Sequence, residues 1–312
     1  MQRDHNQNQS LNDPAYTHPP LSSQILAATV KTGIIKSNLL AVVAGLSLAL
    51  YVHSINPFDK LWDILFALIG SSLMIGAAGA FNNLYDRDID SLMERTKERP
   101  TVVGEISPKT VLWLGFLMTA CGMGALFLAT PLAALFGFLG LFFYIFPYTM
   151  WSKRRTIYNT EIGSISGAMP PLIGWTAIQP DIVHPAIAGL FVMTLLWQMP
   201  HFYAIAIRKQ EDYRNASVPM LPVIKGIKRT YRQTNFYLVL LVAASFLFQS
   251  VSAFLLGVAL LLNVSWLLLS LIGYRKMDSE KWARSMFLFS LIHITGLFSI
   301  VIVFSLLSAF FG

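Results

Sequence analysis

Asn82, Asp86 and Asp90 lie four residues apart in the stretch Phe81-Asn82-Asn83-Leu84-Tyr85-Asp86-Arg87-Asp88-Ile89-Asp90, which follows an apolar run without a break. At roughly 100° per residue each sits about 40° from the one before, so the three fall on one stripe of an α-helix while Asp88 points the other way. Two carboxylates and an amide oxygen on one stripe form a hard-oxygen set of the kind Mg²⁺ takes, and Mg²⁺ bound in this way commonly holds substrate phosphates. The competing reading is a solvated helix end, with the acids balanced by Arg87 and Arg95. The four-residue register favours the metal.

The elements that position this stripe are membrane spans. Of 312 residues, 55% are hydrophobic and only 12% charged, against roughly 25% charged in soluble domains, and the mean hydropathy is +0.57. A bilayer core needs roughly 20 apolar residues per helix. Spans are expected at 34–53, 62–84, 108–128, 131–150, 160–178, 185–205, 234–250, 254–274 and 286–310, an all-α bundle of nine transmembrane helices occupying 31–312. Residues 1–30 are polar and lack an apolar signal core, and are expected to form a disordered cytoplasmic tail.

The net charge of +7 does not mark a nucleic-acid partner, because the basic residues form no continuous face. They fall in alternate loops, with Lys60 alone among 23 Lys and Arg on the other side. That asymmetry predicts an N-in, C-out topology and puts the acidic stripe at the cytoplasmic face. The lone cysteine, Cys121, is expected to pack within a helix, with no disulfide framework.

Span six ends Trp197-Gln198-Met199-Pro200-His201-Phe202 and continues polar through Arg208, Lys209, Glu211 and Asp212. On one continuous helix Gln198, His201, Arg208 and Asp212 share a face. Pro170-Pro171 should kink span five, and the 38 apolar residues at 237–274 should turn near 249–252. Spans two and six thus each end in an acidic extension followed by a basic loop. Carboxylates with Mg²⁺ attract a diphosphate, adjoining Arg and Lys neutralise its other oxygens, and a diphosphate so held leaves readily.

The Asn82-x3-Asp86-x3-Asp90 signature resembles that of the UbiA superfamily of intramembrane prenyltransferases. Finer motifs are similar to its protohaem IX farnesyltransferase branch: Asn83 to Asp90 with Met93-Glu94-Arg95-Thr96 following, Lys153-Arg154-Arg155-Thr156, Gly167-Ala168-Met169-Pro170-Pro171 and Met199-Pro200-His201-Phe202. The resemblance runs from about residue 31 to the C-terminus. It implies a central cavity with Mg²⁺ at its cytoplasmic mouth, in a bacterial plasma (inner) membrane. The implied reaction is transfer of farnesyl from farnesyl diphosphate to a vinyl group of haem B, with water addition, to give haem O.

By position, the resemblance makes Asn82, Asp86 and Asp90 the first metal and diphosphate site. Asp212 becomes the second acidic motif, although Arg208 and Ala216 stand where the superfamily pattern has further acids. Arg95, Lys97, Arg99, Lys153 and Arg154 would neutralise phosphate, with Tyr148 beside them. Gln198 and His201 would face the acceptor, and a haem A synthase or terminal oxidase would receive the product. An aromatic acceptor from a quinone pathway is the alternative within enzymes, and the Met-Pro-His-Phe context favours haem. A transporter is disfavoured because the acids cluster at one surface rather than at the midplane. His293 is a weaker acceptor contact than His201, and His53 and His184 are expected at the outer face.

Overall fold

The computed structural model describes residues 20–311, and no strand occurs among them. Helix α1 (Ser23–Thr29) is capped by the Ser22 hydroxyl, which accepts from the Ile25 N–H at 3.2 Å. This corrects part of the expected tail: residues 1–19 lie outside the described residues, but 23–29 are helical and docked. Thr29 is fully buried, and the Asn83 side-chain amide donates to its carbonyl at 2.9 Å.

Eleven further α-helices of six or more residues follow: α2 (Thr32–Val52), α3 (Leu61–Tyr85), α4 (Pro108–Ala129), α5 (Pro131–Phe143), α6 (Asn159–Gly167), α7 (Met169–Ile178), α8 (Pro185–Arg208), α9 (Gln210–Asn215), α10 (Leu221–Ala244), α11 (Ala253–Lys276) and α12 (Ser279–Phe311). Among the described residues, seven helical segments are long and apolar enough to cross a bilayer. The other two expected spans take different forms. Span five is divided into α6 and α7 at Ala168, with proline in the first turn of the second half, where its missing N–H costs nothing. Span seven is the apolar end of α10, which begins at Leu221 and changes direction at Gly226 (φ 74°), so the loop expected there is helical. The turn expected near 249–252 is present, with Ser252 capping α11.

Apolar side chains cover the outside as well as the inside, with Trp113, Leu117, Leu261 and Ile292 all exposed, the pattern of helices that meet lipid. Lipid supplies no hydrophobic drive between helices, so close backbone approach and hydrogen bonds must hold them. A Cβ on Gly174 of α7 would lie 2.0 Å from the Val42 carbonyl oxygen of α2, which makes that crossing possible only for glycine. The Asn263 amide donates to the Leu241 carbonyl at 3.0 Å and to the Ser245 hydroxyl at 2.8 Å, while its oxygen meets His293 Nε2 at 2.6 Å. His293 is therefore tied into helix packing. Cys121 is exposed on α4, contrary to the packing role expected of it. His53 and His184 lie together with Trp175, their rings 6.2 Å apart, at the end of α2 remote from its first residues.

Candidate active site

A cavity of about 470 Å³ opens among α2, α3, α6 and α8. Its acidic wall is the end of α3. Although that helix formally stops at Tyr85, the Asp86 N–H bonds the Asn82 carbonyl at 2.9 Å and the Asp90 N–H bonds the Asp86 carbonyl at 2.8 Å, so the helical register runs on. Asp86 and Asp90 are buried while the Asp88 side chain is 64% exposed, as the spacing predicts.

Each carboxylate meets a cation, and those on Asp86 and Asp88 come from a distant part of the chain. After α5, residues Tyr144–Ser152 form a π-helix containing Pro147, a wide-turn geometry that recurs at functional sites. It brings Tyr144, Tyr148 and Lys153 to the cavity. Lys153 forms an ion pair with Asp86 Oδ2. Arg154 approaches Asp86 Oδ1 at 3.5 Å and forks onto both Asp88 oxygens at 2.6 and 2.7 Å, and this hydrogen bonding holds the Asp88 carboxyl below its usual range. Arg99 donates to Asp90 Oδ2 at 2.5 Å from the loop that follows, where the Thr96 hydroxyl donates to the Asp90 carbonyl at 2.9 Å.

Asn82 joins these groups. Its amide nitrogen donates to Asp86 Oδ2 at 2.7 Å and to the Thr149 hydroxyl at 3.0 Å, while its oxygen accepts from Lys31 at 2.5 Å. Lys31 sits in the left-handed region (φ 57°) at the break between α1 and α2, and such backbone strain clusters at functional sites. Gly79 admits this break, since a Cβ there would lie 2.8 Å from the Val30 carbonyl oxygen. Burial, reinforced by Arg99 and Lys153, pushes the Lys31 ammonium well below its ordinary pKa.

Three carboxylates thus face five cations, Lys31, Arg95, Arg99, Lys153 and Arg154. Basic side chains outnumber the acids here, which suits an anion such as a diphosphate. The donor set also suits Mg²⁺ in kind: amide and carboxylate oxygens on one wall with no soft ligand.

Of the thirteen site residues expected from the sequence, Asn82, Asp90, Arg95, Arg99, Tyr148, Lys153, Gln198 and His201 line the cavity. Asp86 and Arg154 stand directly behind that wall. Lys97 points away, paired with Glu94 at 2.7 Å. Arg208 and Asp212 line a separate polar pocket of about 410 Å³. The single helical face expected for Gln198, His201, Arg208 and Asp212 is therefore divided. Pro200 leaves α8 intact, but Lys209 (φ −118°, ψ 30°) ends it and α9 starts afresh. Arg208, still on α8, lies 5.2 Å from the centre of the Phe287 ring, which His201 also meets at 5.3 Å, while Asp212 beyond the break has Lys209 at 3.9 Å.

Sequence reasoning missed Lys31, Tyr144, Thr149 and Tyr213. Lys31 reads as ordinary inner-face charge, and only the four-residue interval from Tyr144 to Tyr148 ahead of Lys153 offered a signal. The Tyr213 hydroxyl, which lines the cavity, has its pKa raised by burial.

The UbiA prenyltransferase family model matches residues 38–292. Protoheme IX farnesyltransferase 1 of Bacillus cytotoxicus is 68% identical over 289 residues, covering 93% of this chain and 95% of that one. Protoheme IX farnesyltransferase of Shouchella clausii is 64% identical, covering 93% of each. Among solved structures, a digeranylgeranylglyceryl phosphate synthase superposes with a TM-score of 0.70 at 17% identity, over 90% of this chain and 98% of its own. A UbiA homologue from Archaeoglobus fulgidus bound to GPP and Mg²⁺ does so with a TM-score of 0.63 at 15% identity, over 89% and 99%. These two show the shared fold. With the family model spanning most of the sequence and such identity over nearly the whole length, the chain belongs to the UbiA prenyltransferase family.

Proposed function

We propose that this chain transfers farnesyl from farnesyl diphosphate to a vinyl group of haem B to make haem O. The observation that carries the reading is the pair of buried acids, Asp86 and Asp90, with basic side chains around them at the polar end of a mostly apolar cavity. It suits a substrate with a diphosphate head and a hydrocarbon tail, and the names of the relatives supply the acceptor. The bundle is read as nine spans, N-in and C-out, in a bacterial inner membrane with this cluster at the cytoplasmic face.

Asn82, Asp86 and Asp90 would hold Mg²⁺, with Asp212 as an outlying oxygen donor in the neighbouring pocket beside Arg208. The metal would supply charge neutralisation for the departing diphosphate. Lys31, Arg95, Arg99, Lys153 and Arg154 then bind phosphate oxygens as the C1–O bond breaks, and the bonding pair leaves with the diphosphate. The vinyl π electrons form the new bond to C1. Water adds to the resulting cation and loses a proton, leaving a hydroxyethylfarnesyl group. A π nucleophile needs no strong base, so the protein's task is to orient both partners and keep water from C1 until attack. Apolar residues along the cavity do the latter, and Gln198 and His201 face the acceptor. A haem A synthase or terminal oxidase would receive the product.

Membranes containing the protein, given haem B, farnesyl diphosphate and Mg²⁺, should yield haem O by mass analysis, and EDTA should stop it. Prenylation of a hydroxybenzoate with haem untouched would overturn the acceptor assignment.

A further inference from the structure

We infer that Ser290 is a positioning residue for His201: it fixes the imidazole proton on Nδ1, leaving a bare Nε2 for the iron of the porphyrin acceptor. This rests on the haem reading above. His201 lines the cavity and Ser290, on α12, is fully buried behind it. Two contacts converge on the Ser290 hydroxyl. It lies 2.5 Å from the Phe287 carbonyl oxygen and 2.7 Å from His201 Nδ1.

A serine hydroxyl has one hydrogen, and a carbonyl has none. Were that hydrogen given to Nδ1, two oxygens would face each other at 2.5 Å with no proton between them. The hydroxyl therefore donates to Phe287 and accepts from Nδ1–H. In the neutral ring Nε2 then carries only a lone pair, and no hydrogen-bond partner occupies it among the described residues.

The ring is also clamped on its faces. Trp197 stacks on it with centroids 4.5 Å apart and 19° between planes, and the Phe287 ring lies 5.3 Å away. The Trp197 indole N–H donates to the Ser290 carbonyl at 3.0 Å, so one residue of α12 anchors both the histidine and the aromatic plate above it. A histidine whose inner nitrogen is fixed by a hydrogen bond, with its outer nitrogen free and its plane locked, has the second-shell support typical of metal-ligating imidazoles.

Two measurements on the full chain in lipid nanodiscs test this. In the nitrogen NMR spectrum of isotope-labelled histidine, with His201→Ala for assignment, His201 should show protonated Nδ1 and unprotonated Nε2. The opposite tautomer would overturn the inference even while haem O is still produced. In titrations without farnesyl diphosphate, Ser290→Ala should weaken haem B binding by about 10-fold, the lower end of second-shell effects. It should leave metal-free protoporphyrin IX binding unchanged, and Ser290→Thr should restore the haem affinity. Equal weakening for both porphyrins would mean a merely structural role and sink the idea. If Ser290→Ala does not fold, the tautomer in the unaltered protein decides. Failure of haem prenylation in a protein with the stated tautomer would instead remove the proposed reaction.

Discussion

Two helices run into acid-bearing extensions, and they behave differently. At the end of α3 the backbone bends only slightly at Asp86 (φ −88°, ψ 8°), and hydrogen bonds link Asn82, Asp86 and Asp90 in one register. At the end of α8 Lys209 departs further, and Asp212 leaves the line of Gln198 and His201. In the first extension Asp86 and Asp90 are buried, and each of its three acids meets a cation. The second has only Lys209 at 3.9 Å. Both ends keep i→i−4 bonds across the junction, with Asp90 N–H on the Asp86 carbonyl at 2.8 Å and Tyr213 N–H on the Lys209 carbonyl at 3.2 Å, so they differ in the larger dihedral departure at Lys209 and in the cations that meet each acid.

The strongest way to break this comparison is Asp86→Asn. Removing one partner of a buried ion pair costs about 3–5 kcal/mol, and the change also removes a charge from the proposed metal and diphosphate site. Turnover of haem B to haem O should fall by about a thousandfold or more, with a lowered Tm in the same preparation. Activity within tenfold of the unaltered protein would mean that the α3 end is structural.

Lys153→Met and Lys31→Met come next, each expected to lower turnover about a hundredfold through lost charge stabilisation. Lys31 is the sharper case, because its role comes from the structure alone. The α3 stripe was legible because spacing and helix geometry suffice to put Asn82, Asp86 and Asp90 together, and the loop cations were legible as charge near charge. Lys31 was not, since it meets Asn82 across 51 residues through a left-handed turn that Gly79 makes room for. The division of Gln198 and His201 from Asp212 was equally hidden, because nothing in Arg208-Lys209-Gln210 announces a helix break as Pro or Gly would. The paired α6 and α7 were legible from Pro170-Pro171. The helical start of α10 was not, because its polar first half reads as loop.

Asp212→Asn measures the second extension directly. Its carboxylate lies outside the cavity, with Lys209 at 3.9 Å and Arg208 in the same pocket. The expected fall in turnover is about tenfold, well short of that for Asp86→Asn, reflecting a weaker electrostatic contribution at a partly solvated pocket. An equal loss in both variants would show that the two ends act as one site in the working enzyme, with α9 closing onto α8.

Lys97→Ala sets the floor of the comparison. Lys97 belongs to the same basic loop as Arg95 and Arg99, yet its ammonium bonds Glu94 at 2.7 Å, which raises its pKa, and the side chain is 43% exposed. An exposed i, i+3 pair contributes little, and the loop gains its hold on the acids through Arg99 and Thr96 instead. Haem O formation should stay within about twofold, because an exposed charge outside the cavity is screened by salt and water. Arg99→Ala, by contrast, strips the only cation hydrogen-bonded to Asp90 among the described residues and should fall with the Lys153 group. If Lys97→Ala and Arg99→Ala lowered turnover equally, the loop would be acting through its net charge, and the residue-by-residue pairing seen at the end of α3 would not be what catalysis uses.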